Sequence, residues 1–429
     1  MPEIIVLGAG LSGLGFSCTL RTAEQDFCVF EKENHPGGHA YSETIHGISF
    51  DQGAHISHSK NHEFLSMIHR NAIDVSCIAP SIVASHWQRR WIGYPVQNHL
   101  HSLPLKERIQ ALVGLLTAHL TPTRTAPVDY EEWCLSQYGH HLTHNFYRVF
   151  THKYWRTPMN MLSTDWLGGR LLPSILPTII KGAFHPQIEK QTVFTLFHYP
   201  TQGGFFSFFR PSYDNLPIHY GQDISLVDVE SKYIESASGQ KEYYDLLASS
   251  IPLNTLVGII KDVPPEIREA SALLLHTQLM CINIILTSAP VKYHWCYVYD
   301  EDIYPARISF PTNLTGNNTL FALQAEIFRH SREEWSPEQL FATALPQLAD
   351  LFHFNMHRDL VSATFQVVPY AYIISDHDRA RHVATIHSWL KTKNIRCMGL
   401  YGNWKYMWSD VAYYSGVALA QQILQDSTP

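Results

Sequence analysis

The run Ile4-Ile5-Val6-Leu7-Gly8-Ala9-Gly10-Leu11-Ser12-Gly13 leaves this chain few ways to begin folding. Glu3 to Leu7 reads as a buried parallel strand, and an apolar helical pattern (LGFSCTLRTAEQ) follows the glycines. A strand, a G-x-G-x-x-G turn and a helix in that order form the fingerprint of a dinucleotide site. Gly8 allows the tight turn, Gly10 lets the backbone approach a pyrophosphate, and Gly13 lets helix and strand pack closely. The free N–H groups of Leu11, Ser12 and Gly13 at the helix start would then face the phosphates. A second strand, Phe27 to Phe30, ends at Glu31, about 20 residues on, where a carboxylate accepts from a ribose hydroxyl. Up to this point NAD(P) and FAD fit equally well.

Composition narrows the rest. The 429 residues exceed one small domain. The 31 Lys and Arg against 38 Asp and Glu (net −7) give no electrostatic reason to expect nucleic acid or an anionic membrane as partner. Apolar stretches reach only about 10 residues, short of the roughly 20 a spanning helix needs. The seven cysteines form no C-x-x-C pair, and no basic segment precedes the first strand, so a reduced, cytoplasmic setting is expected. The 26 histidines include no H-E-x-x-H and are spread over the chain, so no metal site is expected.

Beyond Glu31 the run EKENHPGGHAYS resembles the second FAD signature of glutathione-reductase-type flavoenzymes, with Gly37, Gly38 and His39 in the turn that wraps the flavin end. Further on, FDQGAHISHS (50–59) is similar to the histidine loop of UDP-galactopyranose mutases, and YPVQNHL (94–100) to their YPFQNN-type segment. KYWRTPMNMLSTDWLGGRL (153–171), HYPTQGGF (198–205) and YPARISFPTN (304–313) follow in that family's order. YGNWKY with SDVAYYSGVALAQQI resembles the closing flavin segment, which protoporphyrinogen oxidases and amine oxidases also carry.

The fold expected is α/β: a Rossmann-like FAD-binding domain of the glutathione-reductase type (1–75, 220–260 and 395–429), a helical lid-like insertion (76–190) and an antiparallel-sheet substrate domain (191–219 and 261–394). The segment flanking the adenine is expected to end in a strand at Ser249–Leu253 (SSIPL).

The resemblance implies FAD as cofactor. Beside the fingerprint residues and Glu31 it implicates Lys32, Gly38, His39, His55, Val227, Gly402, Asp410 and Val411 in holding it. It further implies that Arg170 and Arg307 hold a substrate diphosphate, since a guanidinium binds phosphate bidentately and keeps its charge. Tyr372 and Tyr406 fall on positions that contact sugar and phosphate, and His55 approaches flavin N5, with His58 a weaker candidate. Gln97, Asn98, Trp166 and Phe205 are candidates for lining the base or sugar. Two positions depart from the family. Leu400 stands in the closing motif where the family has arginine, and Leu314 stands where a tyrosine is expected.

The expected substrate is therefore a small molecule, a nucleotide-diphosphate sugar, worked on through reduced flavin N5 in a ring-form isomerisation or related chemistry. The alternative is a net FAD-dependent oxidoreductase, which the loss of the closing arginine favours. A homo-oligomer stays open.

Overall fold

A computed structural model of the protein describes residues 4–121, 126–168, 171, 175–186, 196–316 and 319–426. A five-stranded parallel sheet runs in the order Ile395–Cys397, Leu246–Ser249, Ile4–Leu7, Phe27–Phe30, Ile218–His219. Ile4–Leu7 is central, with Ile5 registered against Leu247 on one side and Cys28 on the other. All residues of Ile4–Leu7 and Phe27–Phe30 are buried, because both faces are covered. Ile4, Val6, Phe27 and Val29 pack with Leu14, Leu20 and Ile423 of helices Leu11–Thr22 and Ser409–Asp426. Ile5, Leu7, Cys28 and Phe30 face the other way, toward the meander Ile224–Asp228, Tyr233–Ser236, Lys241–Tyr243 and helices Leu253–Ile259 and Arg379–Thr392. The expected strand at Ser249–Leu253 ends earlier, at Ser249. Pro252, without an N–H, sits just before helix Leu253–Ile259 instead.

The second sheet has seven strands, in the order Leu360–Val368, Thr277–Leu286, Phe321–His330, Arg307–Ser309, Trp295–Val298, Val83–Trp87, Arg90–Gly93. Thr277–Leu286 and Phe321–His330 pair antiparallel over their full length. Trp295–Val298 and Val83–Trp87 run parallel, so the sheet is mixed rather than wholly antiparallel. Met280, Ile282 and Ile284 point toward helix Pro337–Phe352, while Leu279, Cys281 and Phe328 face a helical cluster built from Leu105–Leu120, Tyr130–Leu142, Arg148–Trp155 and Leu176–Phe184.

Two stretches differ from the expected partition. Val83–Gly93 supplies a hairpin to this sheet, not helix: Val83, Trp87, Trp91 and Ile92 are β-prone, and Gln88 and Arg89 turn it with φ of 48° and 59°. Ile218–His219 forms an edge strand of the parallel sheet. No helix among the described residues is long and apolar enough to cross a membrane.

Candidate functional site

The glycine turn closes as its residues demand. Gly8 has φ 92°, and a Cβ there would lie 2.6 Å from Ser250 Oγ. A Cβ on Gly13 would lie 2.1 Å from Gly8 O, which is why strand and helix can touch only through glycine. At Gly10 the nearest atom to such a Cβ is Gly38 Cα at 3.9 Å, so this face of the turn is free. No side chain caps helix Leu11–Thr22. Its first N–H groups, at Leu11, Ser12 and Gly13, therefore have no intrahelical acceptor. The second glycine pair presses onto the first: Gly37 N–H donates to Ala9 O (2.8 Å), and Gly10 and Gly37 form a parallel bridge. Glu31 is buried, with Oε2 accepting from Ala9 N–H (2.7 Å) and Oε1 from Glu33 N–H (3.0 Å). Each carboxylate oxygen keeps capacity for a further donor. Lys32 is exposed and lies 3.5 Å from Glu33.

Beside this cradle, Tyr401 O–H donates to the Tyr370 and Ala371 carbonyls (2.9 and 2.8 Å). With its one proton so used, the hydroxyl accepts from His39 Nδ1 at 3.2 Å. Desolvation, aided by His55 and Lys32, pushes the His39 pKa down to about 3, so the ring is neutral. A Cβ on Gly402 would lie 2.9 Å from Ser249 O, so this glycine serves close packing. At the start of helix Ser409–Asp426, Asp410 accepts from Ser59 Oγ (2.5 Å) and from Val411 N–H (2.8 Å), and Val411 is exposed. Val227 is fully buried and its carbonyl accepts from Lys261 N–H (3.0 Å), so its side chain is not offered to a ligand. The adjoining Val229 is only partly buried.

The histidine loop is gripped from below by a polar row on the large sheet. Gln324 and Gln366 donate to Asp51 O (2.7 and 3.1 Å), and Glu326 accepts from Ala54 N–H (2.7 Å). The Asp51 carboxylate collects Ser42 O–H, Tyr199 O–H and Phe205 N–H (2.6, 2.8 and 2.9 Å). Burial nevertheless raises its pKa. His55 Nδ1 lies 2.9 Å from Gly53 O, and since a carbonyl only accepts, Nδ1 carries a proton; in the neutral ring Nε2 is then an acceptor. The His55 ring stacks on fully buried Phe205 at 5.2 Å. Phe205 is thus a support for His55 rather than an exposed stacking surface.

Arg307 sits across the ladder from Glu326 on one side and Tyr297 on the other. Its Nε and Nη2 are both spent on Glu326, at 3.0 and 2.8 Å, and Glu326 is wholly buried. Among the described residues no hydrogen bond is formed by Nη1. The guanidinium lies 5.7 Å from the Tyr154 ring, and Tyr154 and Tyr372 share a hydroxyl–hydroxyl bond of 2.7 Å. Tyr372 stacks on Tyr406 (6.0 Å, 15°), Tyr406 meets Trp408 edge-on (5.6 Å), and Trp408 meets His58 (4.2 Å). His55, His58, Arg307, Tyr372 and Tyr406 are thus brought into one aromatic-walled region. Arg170 lies outside the described residues.

Gln97 and Asn98 are buried in the turn Val96–Asn98, and Gln97 Oε1 has no partner among the described residues. Trp166 spends its N–H on Ser163 O (2.7 Å) and packs on Tyr130 and Trp155, so it belongs to the helical core. Leu314 and Leu400 both pack into apolar clusters. Sequence reading passed over Glu326, Tyr154, Tyr401 and Asp51. An acid inside the apolar strand FALQAEIFRH was a readable signal for Glu326; the tyrosines gave none.

Residues 6–70 match the NAD(P)-binding Rossmann-like domain family. The structure superposes on that of reduced UDP-galactopyranose mutase with a TM-score of 0.92 at 21% identity, over 100% of this chain and 97% of the other. The fold is that of UDP-galactopyranose mutase. The same mutase fold extends to a provisionally named protoporphyrinogen oxidase from Exiguobacterium sp. 255-15 (TM-score 0.76, 13% identity, 99% of both chains). It extends also to a CLA-producing fatty acid isomerase from P. acnes (0.67, 13%, 98% of both). One scaffold carries several chemistries, so the mutase fold alone does not decide the reaction.

Proposed function

We propose that the protein is a FAD-dependent enzyme acting on a nucleotide-diphosphate sugar, with ring-form isomerisation as its reaction. The residues present suit FAD. The Gly10 face is free, the helix Leu11–Thr22 is uncapped, and the buried Glu31 carboxylate has capacity for ribose hydroxyls. Gly38, His39 and the helix start at Asp410 and Val411 would accompany the rest of the cofactor. Bound there, the flavin would supply a ring nitrogen able to act as nucleophile when reduced or to accept hydride when oxidised.

The observation that carries the substrate class is Arg307. Glu326 fixes the guanidinium through Nε and Nη2, with Cζ 5.7 Å from the Tyr154 ring, whose hydroxyl pairs with that of Tyr372. A fixed guanidinium edge beside tyrosine hydroxyls suits phosphate oxygens. Arg170 is proposed as the second clamp on the strength of the sequence resemblance. Tyr406 and the Tyr372 hydroxyl would orient the sugar, and His55 Nε2 would accept a hydrogen bond from cofactor or substrate. The ring contacts of Tyr154, Tyr372, Tyr406 and Trp408 would form an apolar wall beside the reacting centre.

Net oxidation is the second reading. Leu400 favours it, since it brings an apolar side chain where a cation would stabilise a reduced, anionic flavin. Anaerobic mixing separates the two. If the sugar nucleotide turns over only after dithionite reduction, and UDP but not uridine raises the melting temperature, the isomerase reading stands. If substrate alone bleaches the oxidised flavin, or UDP gives no shift, it falls.

A further inference from the structure

Away from this site, three side chains from three elements converge: His69 in the last turn of helix His62–Asn71, Cys77 in strand Val75–Ile78 and His198 in strand Phe197–Pro200. Cys77 and His198 are direct partners across an antiparallel pair, so they share a face. His198 Nδ1 lies 3.1 Å from His69 Nε2 and 3.4 Å from Cys77 Sγ, and all three donor atoms fall within 4.8 Å of one another. Tetrahedral zinc, with bonds of about 2.05 Å to nitrogen and about 2.3 Å to sulfur, sets N···N near 3.4 Å and N···S near 3.6 Å. The two spacings at His198 agree within a few tenths of an ångström, and the third, His69 to Cys77, is no longer than 4.8 Å.

The ring geometry agrees with this. With N···N at 3.1 Å, a straight hydrogen bond between the two imidazoles would hold the ring centroids about 5.4 Å apart, whereas two rings aimed at one atom about 2.05 Å away would hold them about 4.8 Å apart at that spacing and about 5.2 Å apart at the full tetrahedral angle. The centroids are 4.9 Å apart and the rings are steeply inclined, at 83°. We infer that His69, Cys77 and His198 form a three-ligand His2Cys site for a divalent zinc-type cation, with a fourth position toward solvent. Thiolate and imidazole together select zinc or a similarly soft ion over magnesium or calcium.

The site would brace the histidine loop from behind. His198 exchanges both backbone hydrogen bonds with Ser57 (3.0 and 2.7 Å), and Ser57 lies between His55 and His58. A metal would thus pin helix His62–Asn71 to the strand that holds this loop.

The test uses the full-length protein with zinc as probe. It is stripped with chelator, reloaded with one equivalent of Zn(II), desalted and assayed by mass spectrometry for metal, while iodoacetamide alkylation of Cys77 is followed at the peptide level. One zinc per chain should be retained, and zinc should slow Cys77 alkylation at least about tenfold. His69 and Cys77 are exposed, so Cys77→Ala and His69→Ala should fold, which circular dichroism would verify, and should lose stoichiometric zinc. His357→Ala, an exposed control, should keep it. Substoichiometric zinc in the parent protein, equal retention in folded Cys77→Ala and His69→Ala, or alkylation indifferent to zinc would each overturn the assignment.

Discussion

Removing Arg307 should expose how much of this site is held by one buried ion pair. Glu326 is wholly buried and has three donors in reach: Arg307 Nε, Arg307 Nη2 and Ala54 N–H. Arg307→Met takes away two of them and leaves a buried charge with a single N–H. Breaking such a pair from one side costs about 3–5 kcal/mol. For 429 residues the unfolding entropy is roughly 0.9 kcal/mol/K, so the melting temperature should fall by about 3–6 °C. Adding Glu326→Gln removes the stranded charge yet keeps an amide oxygen for Ala54 N–H. The double variant should therefore regain at least half of the loss, with a coupling energy of roughly 2 kcal/mol. Thermal melts of the parent, both single variants and the double close the cycle. A cost below about 1 kcal/mol for Arg307→Met, or a double variant no more stable than it, would refute the reasoning. The double variant also separates stability from recognition. It should fold but bind UDP roughly 10–100-fold more weakly, the worth of a charge-assisted hydrogen bond. Unchanged UDP affinity would remove Arg307 from the diphosphate site while leaving the stability argument intact.

Two further outcomes follow from packing and burial. Gly13→Ala would place a Cβ 2.1 Å from Gly8 O, and Gly416→Ala, at the other end of the chain, one 1.9 Å from Ser12 O. Both should lower the bound flavin per protein, read from absorbance after gel filtration, whereas Gly258→Ala has no atom within 4 Å and should be neutral or slightly stabilising; full flavin in Gly416→Ala would refute this. Burial lowers His276 and His294 to about 4, and His294 Nδ1 accepts from Ile82 N–H (2.8 Å). The unfolded chain takes up these protons near pH 6.5 and the folded chain only near 4, so this stability is complete above pH 6.5 and lost as pH falls toward 4. Each such group contributes a loss of about 1.4 kcal/mol per pH unit within that window, which denaturant melts at pH 7 and 5 would measure. His276→Phe should lower the slope by about 1.4 kcal/mol per pH unit; equal stability of the parent at both pH values would contradict it.

What could be read from the sequence was local. The strand, glycine turn, helix and Glu31 lie within about thirty residues and form a self-contained unit, so spacing alone identified them. The hairpin Val83–Gly93 was hidden by its helix-rich surroundings, although Trp87, Trp91 and Ile92 are strand-prone residues. The contacts that set the site's electrostatics join distant segments. Glu326 meets Ala54 and Arg307, Tyr401 meets His39, and Gly416 meets Ser12. The motif positions of Arg307 and His55 could be matched, but not that Arg307 arrives half-neutralised or that His55 is held by Gly53 and Phe205.

That neutralisation shifts the burden of recognition. Arg307 and Glu326 together carry no net charge, His39 is uncharged, and Leu400 adds none. The described part of the site therefore offers a diphosphate hydrogen bonds and tyrosine hydroxyls but little net positive potential, and a dianion leaving water needs compensating charge. Arg170, which lies outside the described residues, is the other arginine that the mutase-like motifs assign to a diphosphate. If diphosphate recognition is right, Arg170→Ala should weaken UDP binding more than the Arg307→Met/Glu326→Gln pair does. It should also flatten the salt dependence of that binding, because it removes a net positive charge, which the Arg307→Met/Glu326→Gln pair does not. Titrations at low and high ionic strength would show this. Equal losses with unchanged salt dependence would mean that no net charge is used, and an uncharged ligand would then fit the site better than a nucleotide sugar.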